Sequence, residues 1–195
     1  MSSFSLNIPS VVMLFSGVIL LLIVFLTAKG KDEENAVDLK KMMIAASFWS
    51  ITNGIELASN DIALKIWLSK LSYIGICSVM PLWFMFVLSY VKKEDLLKKP
   101  VKYLVHGIPA IILVLVFTNE FHHLVWPTLI PYSVDGGIRL IYGHGIAVYA
   151  YAIYCAVIMF WGTIMLINFL LDVPALIRQQ VWLVLIASIS PWVAM

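Results

Sequence analysis

The chain has 195 residues, 62% of them hydrophobic and 12% charged, with a formal net charge of +2. That composition excludes a soluble globular domain and points to a polytopic membrane protein, and no nucleic-acid partner is expected. The net charge itself says little, because orientation depends on where lysine and arginine fall between apolar stretches.

Residues 1–28 carry no side-chain charge, and the 21-residue run Ile8–Ala28 exceeds a usual signal core and lacks a basic leader. It reads as a retained first helix over about 8–28. The connection 29–41 holds four lysines and four acids and reads as a solvated cytoplasmic loop. A second helix is predicted over 42–60, where Glu56 is the single charge. A short outer turn at Asn60-Asp61 leads to a third helix over 68–91, which contains Pro81. The lysine-dense connection 92–102 follows, and Pro100 marks the start of a fourth helix over 101–118, with Pro109 inside it. Within the long connection 119–144, residues 121–126 suit a short interfacial turn. Residues 128–142 alternate around Asp135-Gly136-Gly137, which predicts a hairpin pairing Leu129–Ser133 with Ile138–Tyr142. A fifth helix is predicted over 145–171 and a sixth over 179–195, with Arg178 between them.

Each completed stretch is near the ~20 residues that cross a hydrocarbon core, and none shows the ten-residue alternation of a membrane barrel. The expected fold is all-α: a polytopic transmembrane helix bundle with a small outer hairpin between its fourth and fifth helices. Of the 13 lysines and arginines, ten lie in alternate connections and three (Lys65, Lys70, Arg139) in the others. The positive-inside rule then places the N-terminus and the hairpin outside a multi-pass protein of the cell membrane. Six helices in that orientation end outside, so a cytoplasmic C-terminus requires a seventh, and residues 1–195 read as an incomplete domain.

The second helix has the sharpest pattern. At about 100° per residue, Trp49, Asn53, Glu56 and Asn60 fall within roughly 60° of arc. Ala46, Ser50, Gly54 and Ala58 form an adjoining stripe of small residues that allows close helix approach, while Ile44, Phe48, Ile51 and Ile55 lie opposite and suit lipid. A charge at mid-bilayer costs on the order of 3 kcal/mol, so Glu56 must face a cavity or a partner. Two readings stand: a ligand or switch residue in an outward pocket, or a hydrogen-bonded residue that fixes helix packing. His122, His123 and His144 share the long outer connection with Glu120. They suit loop packing, ligand or proton sensing, or zinc, although no recognised ligand spacing is present. Tyr73, Tyr149, Tyr151, Tyr154 and Trp192 fall toward the outer half, as an interfacial belt or as the wall of a small-molecule pocket. Cys77 and Cys155 read as small core residues. Asp32 and Asp38 read as part of a solvated face, and His106 as a packing or interfacial residue. No catalytic, metal or phosphate-binding motif is present, so neither an enzyme nor a cofactor is expected.

The ordered spacing of several short motifs resembles the N-terminal seven-transmembrane sensor region of membrane histidine kinases. Trp49-Ser50-Ile51-Thr52-Asn53-Gly54-Ile55-Glu56-Leu57 is similar to that family's Trp…Gly…Glu-Leu signature. Tyr73-Ile74-Gly75-Ile76 with Pro81, Trp83 and Phe84 follows, then Thr118-Asn119, His122-His123-Leu124 and Trp126, then Tyr142-Gly143-His144-Gly145. Arg178-Gln179-Gln180 opens the last helix, where Pro191 matches a family proline. The resemblance implies a sensory input domain of two-component type, acting in cis on a cytoplasmic signalling domain, with a second copy as an expected partner besides the lipid bilayer. It supplies no ligand. The candidate ligand-binding residues are therefore Trp49, Asn53, Glu56, Tyr73, His122, His123, Tyr142 and His144. A transporter or channel module is the alternative, and it would require polar side chains continuing inward from Glu56. A retinal photoreceptor would need a lysine deep in a helix outside this sequence.

Overall fold

The structure, a computed structural model, describes residues 4–27, 34–96, 98–134 and 137–193. It is the expected all-α bundle with one hairpin. Helix α1 (Ile8–Leu26) opens with a capping box: the Asn7 side chain accepts from the Ser10 amide at 2.9 Å, and Ser10 Oγ accepts from the Asn7 amide at 3.1 Å. Helix α2 (Glu34–Ala58) starts well before the predicted residue 42. The charged residues 34–41 therefore extend the helix beyond its apolar stretch. Asp38 is not part of a solvated face as expected but buried, accepting from Lys41 Nζ at 2.9 Å and from Ser89 Oγ at 2.8 Å. Asp32 lies outside the described residues.

Helix α3 (Ile62–Tyr90) also starts before its predicted residue 68, because Asp61 caps it by accepting from the Leu64 amide at 2.8 Å. At 29 residues it is about 43 Å long. Beyond a single 3₁₀ turn (Glu94–Leu96) comes α4 (Lys99–Phe117), with Pro100 in its first turn as expected. The short α5 (Asn119–His122) leads to strands β1 (Leu129–Val134) and β2 (Gly137–Tyr142), antiparallel with Leu129 opposite Tyr142. Asp135 and Gly136 of the predicted turn lie outside the described residues. Helices α6 (Ile146–Asp172) and α7 (Ala175–Val193) complete the chain, α7 starting one turn before expected.

Helix α2 packs between α1 and α3, α3 also meets α4 and α6, and α7 lies on α6. The α2–α3 contact needs a glycine: a Cβ at Gly75 would stand 2.7 Å from both the Ala45 carbonyl oxygen and the Trp49 Cβ. The small stripe of α2 works the same way toward α1, where a Cβ at Gly54 would meet Leu14 at 2.8 Å. Ile44 and Phe48 are exposed, as expected for lipid, but Ile51 turns inward against Gly17. Among the described residues, four helices (α1, α3, α4 and α6) are long and apolar enough to span a membrane by length and composition. Pro109 lacks the amide that would bond the Val105 carbonyl, and the Tyr154 hydroxyl donates to that carbonyl at 2.7 Å instead. Tyr151 donates to the Ile76 carbonyl at 2.9 Å, so both tyrosines are core residues rather than an interfacial belt, whereas Tyr149 is exposed. The Trp192 side chain lies outside the described residues. Cys77 and Cys155 are both free thiols.

Candidate functional site

At the hairpin end of the bundle, α2, α3 and β2 converge on a buried polar cluster. Asn53 and Glu56 are three residues apart and share a face of α2. On α3, Lys65, Ser69 and Ser72 fall at spacings of four and three and share the opposing face. The short turn 59–61 brings the two faces together. Glu56 and Lys65 form an ion pair at 3.4 Å with side chains only 9% and 1% accessible. Lys65 Nζ also donates to the Glu56 carbonyl oxygen at 2.6 Å. The hydroxyl of Tyr142, on β2, donates to Glu56 Oε1 at 3.3 Å and stands 2.6 Å from Ser69 Oγ. A phenol carries one proton, so Ser69 is the donor in the second bond. Burial pushes the Tyr142 phenol above its ordinary value, which keeps it a neutral donor.

A cavity of about 180 Å³ opens beside this cluster. Asn53, Glu56, Ser69 and Ser72 line it on the helix side, and Tyr142 and His144 on the hairpin side. Tyr73, Ile76 and Trp126 supply its apolar wall. The Trp126 ring stands 5.5 Å from Tyr73 and 5.2 Å from Tyr142, so the three aromatics are continuous. Trp126 is held by buried Asn119, whose side chain accepts from the Val125 and Trp126 amides at 3.0 and 3.1 Å and donates to the Trp126 carbonyl at 3.0 Å. The Ser72 hydroxyl donates to Thr52 Oγ1 at 2.9 Å, one turn below.

Of the eight predicted residues, the structure brings five together: Asn53, Glu56, Tyr73, Tyr142 and His144. Trp49 lies deeper and packs against Gly75, with its indole nitrogen buried and unbonded. His122 and His123 do not join the cavity. His122 Nδ1 accepts from the Leu124 amide at 3.0 Å, and Nε2 faces Thr118 Oγ1 at 3.1 Å, so it shapes the loop. His123 is exposed and ends α5 in a left-handed conformation (φ 54°). Lys65, Ser69, Ser72 and Trp126 were not among the predicted site residues, and their helical spacing on α3 was the available signal for the first three.

Lys70, one turn farther along α3 and also buried, bonds Glu120 of α5, meets the Phe117 carbonyl at 3.4 Å and lies 5.3 Å from the Trp67 ring centroid. Its hydrogen bond holds the Glu120 carboxyl below the usual carboxylate range. Beyond Ser72 the buried α3 positions, Gly75 through Leu88, are apolar, so among the described residues no polar path continues inward along that helix as a transporter would need.

A family model described as the N-terminal 7TM region of histidine kinase matches residues 12–195. No curated protein and no solved structure matches the chain. Together with long apolar helices and the motif order noted in the sequence, this match shows that the chain belongs to the histidine kinase N-terminal 7TM family, a multi-pass membrane domain of sensor type.

Proposed function

We propose that this domain is the sensory input of a histidine kinase-type receptor, taking an extracellular or intramembrane stimulus at the cavity beside Glu56 and passing it to a cytoplasmic output domain in cis. The observation that carries this reading is the Tyr142–Glu56–Lys65 linkage: one buried ion pair joins α2, α3 and the hairpin at the wall of a polar cavity. A stimulus that separates Tyr142 from Glu56 changes how the hairpin sits on the helix pair. Differential binding of that kind is what a signal requires. The lysine-rich connections at the opposite end support a cytoplasmic location for that end and an outward-facing cavity. A second copy of the chain is the expected partner in signalling.

The experiment is Tyr142→Phe in the receptor that carries this chain, with stimulus-dependent phosphorylation as the readout. This substitution cuts the hairpin link without leaving an unpaired charge. Expected is normal membrane insertion with a shifted basal or stimulated phosphorylation level, and an unchanged response would remove the linkage from the mechanism. A Ser133→Cys label reached only from the cytoplasm would overturn the orientation.

A further inference from the structure

We infer that the cavity is built for a small organic ammonium ion, a deepening that rests on its being the stimulus site. Although Glu56 and Lys65 are paired, they do not face the cavity alike. Glu56 lines it and Lys65 does not, because the lysine is wholly buried and turned toward the Glu56 backbone carbonyl. An incoming group therefore meets the carboxylate, and no lysine or arginine is part of the lining.

The bonding pattern points the same way. Lys65 and Tyr142 both approach Glu56 Oε1, which leaves Oε2 without a hydrogen bond among the described residues. The same cavity is lined by the continuous aromatic group of Tyr73, Trp126 and Tyr142. A carboxylate and aromatic rings lining one small space attract a cation twice, through charge and through the ring quadrupoles. Glu56 disfavours an anion at the same place, and the polar side chains beside it (Asn53, Ser69, Ser72 and His144) leave hydrogen-bonding as the remaining attraction for one. At about 180 Å³ the cavity falls below the roughly 300–1,000 Å³ of sites for drug-sized ligands, which restricts the ion to a few heavy atoms.

The test uses the full chain in lipid nanodiscs and saturation-transfer NMR with three probes of similar size: tetramethylammonium, tert-butanol and acetate. Expected is saturable binding of tetramethylammonium alone. It should weaken roughly tenfold in Trp126→Leu and in the paired variant Glu56→Gln with Lys65→Gln, which removes both charges together. Tyr73→Leu lies outside the ion pair and provides an independent wall variant if either of those fails to fold. Equal or tighter binding of tert-butanol or acetate, lost in Tyr73→Leu, would overturn the ammonium class while leaving the cavity a binding site. No saturable binding of tetramethylammonium, or binding unaffected by all the variants, would also overturn the inference. The stimulus-site reading falls separately, on an unchanged phosphorylation response in Tyr142→Phe.

Discussion

Replacing Lys65 with Met tests the central contact most severely. The substitution keeps a long side chain in the α2–α3 interface but removes the ammonium that contacts both the Glu56 carboxylate at 3.4 Å and the Glu56 carbonyl at 2.6 Å. Because the two side chains are 1% and 9% accessible, solvent cannot replace the lost partner. Removing one member of a buried pair typically costs about 3–5 kcal/mol, whereas replacing both with neutral groups is often near neutral. Tyr142 still donates one hydrogen bond to Glu56, so the lower end, about 3 kcal/mol, is expected for Lys65→Met. By the scaling of soluble domains of this size, that corresponds to a fall of about 6–12 °C in melting temperature. Adding Glu56→Gln to Lys65→Met should restore most of the loss, giving a coupling energy of at least about 2 kcal/mol in a double-mutant cycle, and more by whatever Glu56→Gln costs alone. The assay is thermal unfolding of the detergent-solubilised chain for wild type, both single variants and the double. Additive losses, or a Lys65→Met variant within about 0.5 kcal/mol of wild type, would refute the assignment of this pair as a buried structural link.

Gly75→Ala should destabilise by about 1–3 kcal/mol, since its Cβ would stand 2.7 Å from the Ala45 carbonyl oxygen, whereas Gly107→Ala, with nothing within 4 Å, should gain about 0.5–1 kcal/mol. Unfolding of the two variants side by side checks both signs. Tyr154→Phe should cost about 0.5–1.5 kcal/mol by leaving the Val105 carbonyl unbonded. In a Pro109→Ala background, where the restored amide can take that carbonyl, the same change should cost close to nothing, which a double-mutant cycle measures. The Glu120 carboxyl is held down by Lys70, so its contribution is fully present above the unfolded value of 4.5 and is lost as pH falls through the lower folded value. Lys70→Gln should flatten that acid limb in a series of melting temperatures from about pH 6 to about pH 3.

The transmembrane helices were legible because apolar length reports directly on the bilayer, and the hairpin because strand alternation flanks a turn sequence. The starts of α2 and α3 were not, for the same reason: hydropathy marks where lipid is, not where helical hydrogen bonding begins. The sequence pattern places Asp61 in a turn, yet as an N-cap it starts α3 well over one turn before the apolar run. Hydropathy alone therefore makes Lys65 a loop charge that fixes orientation, although Lys65, Ser69 and Ser72 repeat at the spacing of one helix face. On α2 the 100° periodicity was enough to put Asn53 and Glu56 on the inward side. Of the readings open for the histidine pair, loop packing fits His122, which uses both nitrogens locally; residue type alone does not say which ring the loop uses for its own bonds.

The distribution of polar ties suggests where the molecule yields. Helices α2 and α3 are joined by Glu56 and Lys65 at the hairpin end, by Thr52 and Ser72 below the cavity, and by Asp38 and Ser89 at the lysine-rich end. The 18 positions from Asp38 to Glu56 span about 27 Å of helix, and Gly75 brings the two backbones into direct contact between the end ties. A pair tied at both ends and packed backbone to backbone moves as one body. The hairpin, by contrast, is held to the pair by Tyr142, which bonds Glu56 and Ser69, and by the Ile138 amide, which donates to Asn60 at 3.0 Å. A hydrogen bond to a charged group is worth about 1.5–3 kcal/mol at ordinary length, and at 3.3 Å the Tyr142–Glu56 bond belongs at or below the lower end, so gaining or losing it alone shifts a two-state equilibrium by up to about tenfold. That is within reach of one small ligand. The joint between hairpin and helix pair is therefore where weak binding has leverage, and under the proposed sensory role the stiff α2–α3 pair is the element that carries the result to the lysine-rich end.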